Sequence, residues 1–69
     1  MARARKQQTV SERIRAARVQ AGLTQEGLAR AADLTVAAVS RIECGAGTRV
    51  STLERLAAAL GVPAAELLG

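Results

Sequence analysis

Apolar positions along the chain fall into four helical stripes and one terminal cluster. Val10, Ile14, Ala17 and Ala21 recur at 3.6-residue spacing and make one buried stripe. Leu28, Ala29 and Ala32 make a second, within the short stretch QEGLARAA. Val39 and Ile42 make a third, between Val36 and about Cys44. Leu53, Leu56, Ala57 and Leu60 follow the i, i+3, i+4, i+7 template without interruption. The cluster is Leu67 and Leu68, which pack a last turn back onto the rest. The chain shows no period-2 strand pattern, no internal repeat and no linker.

Polar residues and glycines punctuate these stripes. Thr9 with Glu12 fits a capping box, in which each side chain satisfies a free donor at a helix start. Gly22 supplies the left-handed turn that ends the first helix. Thr24 caps the second helix, in which Gly27 costs about 1 kcal/mol against Ala, so that helix leans on tertiary contacts. Asp33-Leu34 is a tight connection, Thr35 caps the third helix and Gly45 stops it. Ala46 to Val50 is a loop. Ser51 and Glu54 read as another capping box, Gly61 closes the fourth helix, and Pro63 can open a last turn where its missing N–H costs nothing. The pattern predicts an all-α domain over residues 9–69, four helices plus a short fifth. Residues 1–8, MARARKQQ, lack apolar periodicity and read as a basic disordered arm.

Sixty-nine residues hold one domain. Apolar residues make up 49%, enough for a core, but Phe, Tyr and Trp are absent, which removes the stacking platform of single-strand binders. His is absent too, and with it the commonest general base and metal ligand. The single Cys makes no internal disulfide and fits a reducing cytosol. No apolar run approaches the ~18–20 residues of a membrane span, and no signal peptide is visible. The remaining Ser, Thr and carboxylates form no nucleophile–base arrangement, so no catalytic residue, metal or cofactor is assigned. There is no room for a small-molecule-binding domain. The net charge is +4, and Arg3, Arg5 and Lys6 supply three of the ten basic residues. From residue 7 onward, seven basic residues face six acidic ones, a net +1. Nine of the ten basic residues are Arg and Ala is abundant, as GC-rich codons alone would produce. A basic arm on a nearly neutral domain suggests a polyanion partner.

The segment Gln25 to Ile42 holds the informative arrangement: two short helices joined by a tight turn. A helix-turn-helix needs a small residue where the backbones approach, and Ala29 meets that. Leu28, Ala32, Leu34, Val39 and Ile42 supply its apolar contacts. Asp33 stands where the turn needs a left-handed residue. With RVQAGLTQEGLA (18–29), VSRIECG (39–45) and TLERLAAALGV (52–62) in order, the chain resembles the lambda-repressor-like helix-turn-helix domains, the Cro/XRE regulators of prokaryotes. The resemblance spans about residues 10–68.

The resemblance implies a five-helix fold with the helix-turn-helix at helices 2 and 3, and a second motif helix that lies in the major groove of double-stranded DNA. It implies base contacts from Val36, Ala37, Ser40 and Arg41, with the Arg41 fork suited to guanine O6 and N7. Phosphate contacts fall to Arg18, Thr24, Gln25, Thr35, Cys44 and Arg49, and the arm residues Arg3, Arg5 and Lys6 are placed to reach the duplex. Arg18 and Glu43 are also expected to pair, with pairing the main role of Arg18. Cys44 reads as a small neutral residue rather than a redox switch. Arg55 reads as a solvated helix-face charge. One departure stands out. Val36, Ala37 and Ala38 are small and apolar where relatives carry Gln, Arg, Ser or Thr. They can touch a thymine methyl but make no bidentate bond, so either DNA shape supplies the rest or this surface meets a protein.

The implied function is a transcriptional regulator, a repressor, acting as a homodimer on a near-palindromic operator in the cytoplasm, at the nucleoid. Its dimer surface is placed at Val62, Ala64 and Leu67, with the loop at Thr48 to Val50. The alternative is an antitoxin-type module that neutralises a partner protein and regulates its own promoter.

Overall fold

The computed structural model describes residues 9–68. In these the chain forms α1 (Val10–Gln20), α2 (Gln25–Ala32), α3 (Val36–Glu43), α4 (Val50–Leu60) and α5 (Ala64–Leu68). The arm residues Arg3, Arg5 and Lys6 lie outside the described residues.

Each early helix starts on a threonine. Thr9 Oγ1 accepts the Glu12 N–H at 3.1 Å while Glu12 Oε1 accepts the Thr9 N–H at 3.0 Å, a complete capping box. Thr24 Oγ1 accepts from Gly27 N–H at 2.9 Å, and Thr35 Oγ1 from Ala38 N–H at 3.1 Å. The ends close by left-handed turns. Gly22, at φ +76°, lets its own N–H and that of Leu23 reach back to the Val19 and Arg18 carbonyls, each at 3.0 Å. Ala21, which its spacing assigns to the buried stripe of α1, is exposed, because it is the cap residue at this reversal. At the end of α2 the left-handed residue is Asp33, at φ +59°, and the Leu34 N–H bonds the Ala29 carbonyl at 2.7 Å. Asp33 is the one non-glycine with positive φ among the described residues.

The fourth helix departs from the sequence pattern. It begins at Val50, and its first turn closes on Arg49, whose carbonyl accepts from Leu53 N–H at 2.9 Å. Ser51 and Glu54 therefore lie inside the helix and form no capping box. Arg49, the residue at the cap, makes no side-chain cap bond. In α5, Leu67 is 1% exposed and Leu68 57%. Successive helical residues point about 100° apart, so only one of the two reaches the core.

The fully buried large side chains are Ile14, Leu28, Val39, Leu56 and Leu67, one from each helix. Each contributes roughly 1.5–3 kcal/mol of burial. Around them pack Ala29, Ala32, Ile42, Leu53, Ala57 and Leu60. Among the described residues no helix is long and apolar enough to cross a membrane.

Candidate functional site

The packing of α2 against α3 decides which side chains are left outside. Ala29 is buried where the helices approach, and Leu28, Ala32, Val39 and Ile42 fill the contact. Leu34 in the turn is half-buried against them. The opposite side of α3 is open. Thr35, Val36, Ala37, Arg41 and Cys44 are exposed, and Ala38 and Ser40 are half-buried.

A polar network holds this pair to α1. Glu43 Oε2 accepts from Arg18 Nε at 2.7 Å, and Oε1 accepts from Arg18 Nη2 at 3.2 Å and from Gln25 Nε2 at 3.1 Å. Arg18 Nη1 donates to the Leu23 carbonyl at 2.8 Å. The side chains are 14% exposed for Arg18 and 4% for Glu43. Burial pushes the Glu43 carboxyl up, but the hydrogen bonds from Arg18 and Gln25, with the charges of Arg18 and Arg15, outweigh it and hold the group below its ordinary value.

This network bears on two assigned roles. All three guanidinium nitrogens of Arg18 donate inside the protein, as the expected ion pair requires, and these bonds use three of the five guanidinium N–H groups. The Gln25 amide, assigned to a phosphate by the resemblance, donates to Glu43. What α2 turns outward at this end is its N-terminus, which favours an anion, and the exposed Thr24 hydroxyl, whose proton the cap bond leaves unused.

Arg41 and Arg49 are exposed and line one cleft of about 460 Å³ with Thr48 and Thr52, between the end of α3 and the start of α4. Cys44 is a free, exposed thiol at the C-cap of α3. The dimer surface read from sequence needs correcting at Leu67, which is core within one chain and has no surface to offer. Val62 and Ala64 are half-buried against that core. The exposed apolar side chains nearby are Val50 (65%) and Leu68 (57%). They line an apolar groove of about 330 Å³ with Val10, Gly45, Ala46 and Gly47.

Arg55 is not the solvated charge expected of it. Its Nε donates to the Ala32 carbonyl at 3.2 Å and its Nη2 to the Asp33 carbonyl at 2.6 Å, so α4 closes the end of α2 at the motif's turn. No sequence signal marks this, since one arginine on a helix border names no partner. Among the described residues no cluster of three or more His, Cys, Asp or Glu could hold a metal.

A family model described as Helix-turn-helix matches residues 14–67. Among solved structures, the chain is similar to the hypothetical transcription factor NHTF from Neisseria, seen in a crystal structure. The TM-score is 0.82 and the identity 39%, over 87% of this chain and 70% of that one. No curated protein matches the chain.

Proposed function

The chain belongs to the helix-turn-helix family of Cro/XRE type, and on that premise we propose that it is a sequence-specific, double-stranded-DNA-binding regulator of transcription. The observation that carries the reading is the outward face of α3, left open by the α2–α3 packing and held in place through Glu43. The likeness to the Neisseria protein, a hypothetical transcription factor by name, supports it. In this reading α3 lies in the major groove. Arg41 bonds guanine O6 and N7, and Val36, Ala37 and Ser40 meet neighbouring base edges. Thr24, Thr35, Cys44, Arg49 and the N-terminus of α2 at Gln25 meet phosphates, and Arg3, Arg5 and Lys6 add charge along the duplex. The protein acts as a homodimeric repressor in the cytoplasm, on a near-palindrome with half-sites about one helical turn apart. The exposed Val50 and Leu68 make the apolar part of the dimer surface, beside Val62 and Ala64.

The test is selection from a randomised duplex pool at near-physiological salt, followed by sequencing. Enrichment of a palindrome with one-turn spacing is expected, and Arg41→Ala should relax one position per half-site. Salt-sensitive bulk binding with no enriched sequence would reject specific readout. The apolar Val36 and Ala37 favour a second reading, an antitoxin-type module whose α3 face meets a protein. Co-purification of a stoichiometric partner from the native host that blocks DNA binding would favour it.

A further inference from the structure

The outward face of α3 is divided. Its N-terminal end presents Val36, 40% exposed, and Ala37, also exposed, with Ala38 half-buried behind them. Beyond Thr35, whose hydroxyl accepts the cap bond, the side chains able to hydrogen-bond a base edge on this face are Ser40 and Arg41, a turn further on. Yet the N-terminal end is the part of a recognition helix that comes nearest the bases.

Pressing apolar side chains against base-edge donors and acceptors strips those groups of water and returns no bond, which costs free energy. The cost vanishes where the base edge is itself apolar. In the major groove one group meets that condition, the methyl on C5 of a pyrimidine. Thymine carries it, and so does 5-methylcytosine. The two bases differ at position 4, oxygen against amino, but neither an isopropyl nor a methyl side chain can use that difference. A protein-docking role fits the patch less well. Such surfaces are contiguous over a few hundred Å², whereas here Thr35, Ser40 and Arg41 interrupt the apolar area within one turn.

Resting on the DNA-binding reading above, we infer that the N-terminal end of α3 recognises the pyrimidine 5-methyl group itself. The chain then accepts thymine and 5-methylcytosine alike at that position and discriminates against uracil and unmethylated cytosine. The spacing follows from the helix. Arg41 lies four residues after Ala37 and five after Val36, roughly 6–7.5 Å along the axis at 1.5 Å per residue. Base pairs rise about 3.4 Å. The methyl-bearing pyrimidine is therefore expected within one or two base pairs of the guanine read by Arg41. Binding through this site responds to cytosine methylation.

The experiment uses the full chain and the duplex enriched by selection, resynthesised with thymine, uracil, cytosine or 5-methylcytosine at the position in question. Replacing thymine by uracil should weaken binding roughly fourfold per methyl group lost. 5-Methylcytosine should bind like thymine, and cytosine like uracil. Val36→Ala, at an exposed first-turn position where Ala is the better helix former, should bring the thymine-to-uracil ratio toward one. The same variant should still lose affinity when the guanine is replaced by 7-deazaguanine. An enriched site that binds thymine and uracil duplexes equally would overturn the methyl reading and leave specific DNA binding standing. So would a loss of affinity in Val36→Ala that is equal for both duplexes. Absence of any enriched sequence would remove the sequence-specific reading above and this one with it.

Discussion

At Glu43 three helices share one carboxylate. Arg18 reaches it from α1, Gln25 from α2, and Glu43 itself ends α3. Removing a partner from a fully buried pair typically costs about 3–5 kcal/mol. With Arg18 still 14% exposed, Glu43→Ala should cost less, about 2 kcal/mol, or roughly 10–15 °C in Tm for a chain this size. A thermal melt by circular dichroism checks it, and an unchanged Tm would show that the network contributes nothing. The pH dependence follows from the same bonds. The folded carboxyl titrates below its unfolded value. Its contribution is therefore complete above the ordinary glutamate pKa of about 4.3 and is lost as pH falls through the lower folded value. Denaturant melts of wild type and Glu43→Gln, taken from about pH 6 down to about pH 2.5, should show the gap between them closing at the acid end. The pairing of Arg18 with Glu43 is legible in the sequence, because an arginine at the edge of an apolar stripe needs a counter-charge and the family resemblance names one. The orientation of Gln25 is not. An uncharged amide turns to whichever acceptor the fold brings nearest, and the fold brings Glu43.

Among the elements, α4 shows how a weak local signal can fail to set a helix start. Ser51 and Glu54 have capping-box spacing, but a cap is worth only about 1 kcal/mol. The helix instead runs back to Val50 while Leu53, Leu56, Ala57 and Leu60 keep their places in the core. The other four helix starts lie within about a residue of the sequence reading, and at three of them the expected threonine cap bond is made. The consequence is an arginine at a cap position that serine or aspartate fills better. Arg49→Ser should therefore raise stability by about 0.5–1 kcal/mol. In the DNA-binding reading it should also weaken operator binding and lower the salt slope by about one phosphate contact. Opposite signs in a melt and a salt titration are expected; loss of stability would contradict the open cap. Arg55 works the other way, from α4 onto the end of α2. Its side chain is 48% exposed, so its two bonds to the Ala32 and Asp33 carbonyls are discounted for solvent, and Arg55→Ala should cost about 0.5–1 kcal/mol. Hydrogen exchange should show the loss concentrated at the Leu34 amide, which closes the same turn.

For the molecule as a whole, the decisive pair is Leu67 and Leu68. The apolar pattern places both against the core, because two adjacent leucines alone carry no phase. The structure buries one and exposes the other. A 69-residue domain has a total stability of roughly 3–10 kcal/mol. Leu67→Ala should remove about 2–4 kcal/mol of it, a large share, because Leu67 is the only fully buried side chain that α5 supplies. Leu68→Glu should leave the melt of the dilute monomer unchanged within about 0.5 kcal/mol. If Val50 and Leu68 form the dimer surface, that same variant should shift self-association to higher concentration in analytical ultracentrifugation. It should also weaken binding to a palindromic site far more than to an isolated half-site. Self-association identical to wild type would remove this groove from the dimer. A lower Tm in the dilute Leu68→Glu monomer would instead mean that Leu68 packs onto its own chain, and the dimer would then need another surface.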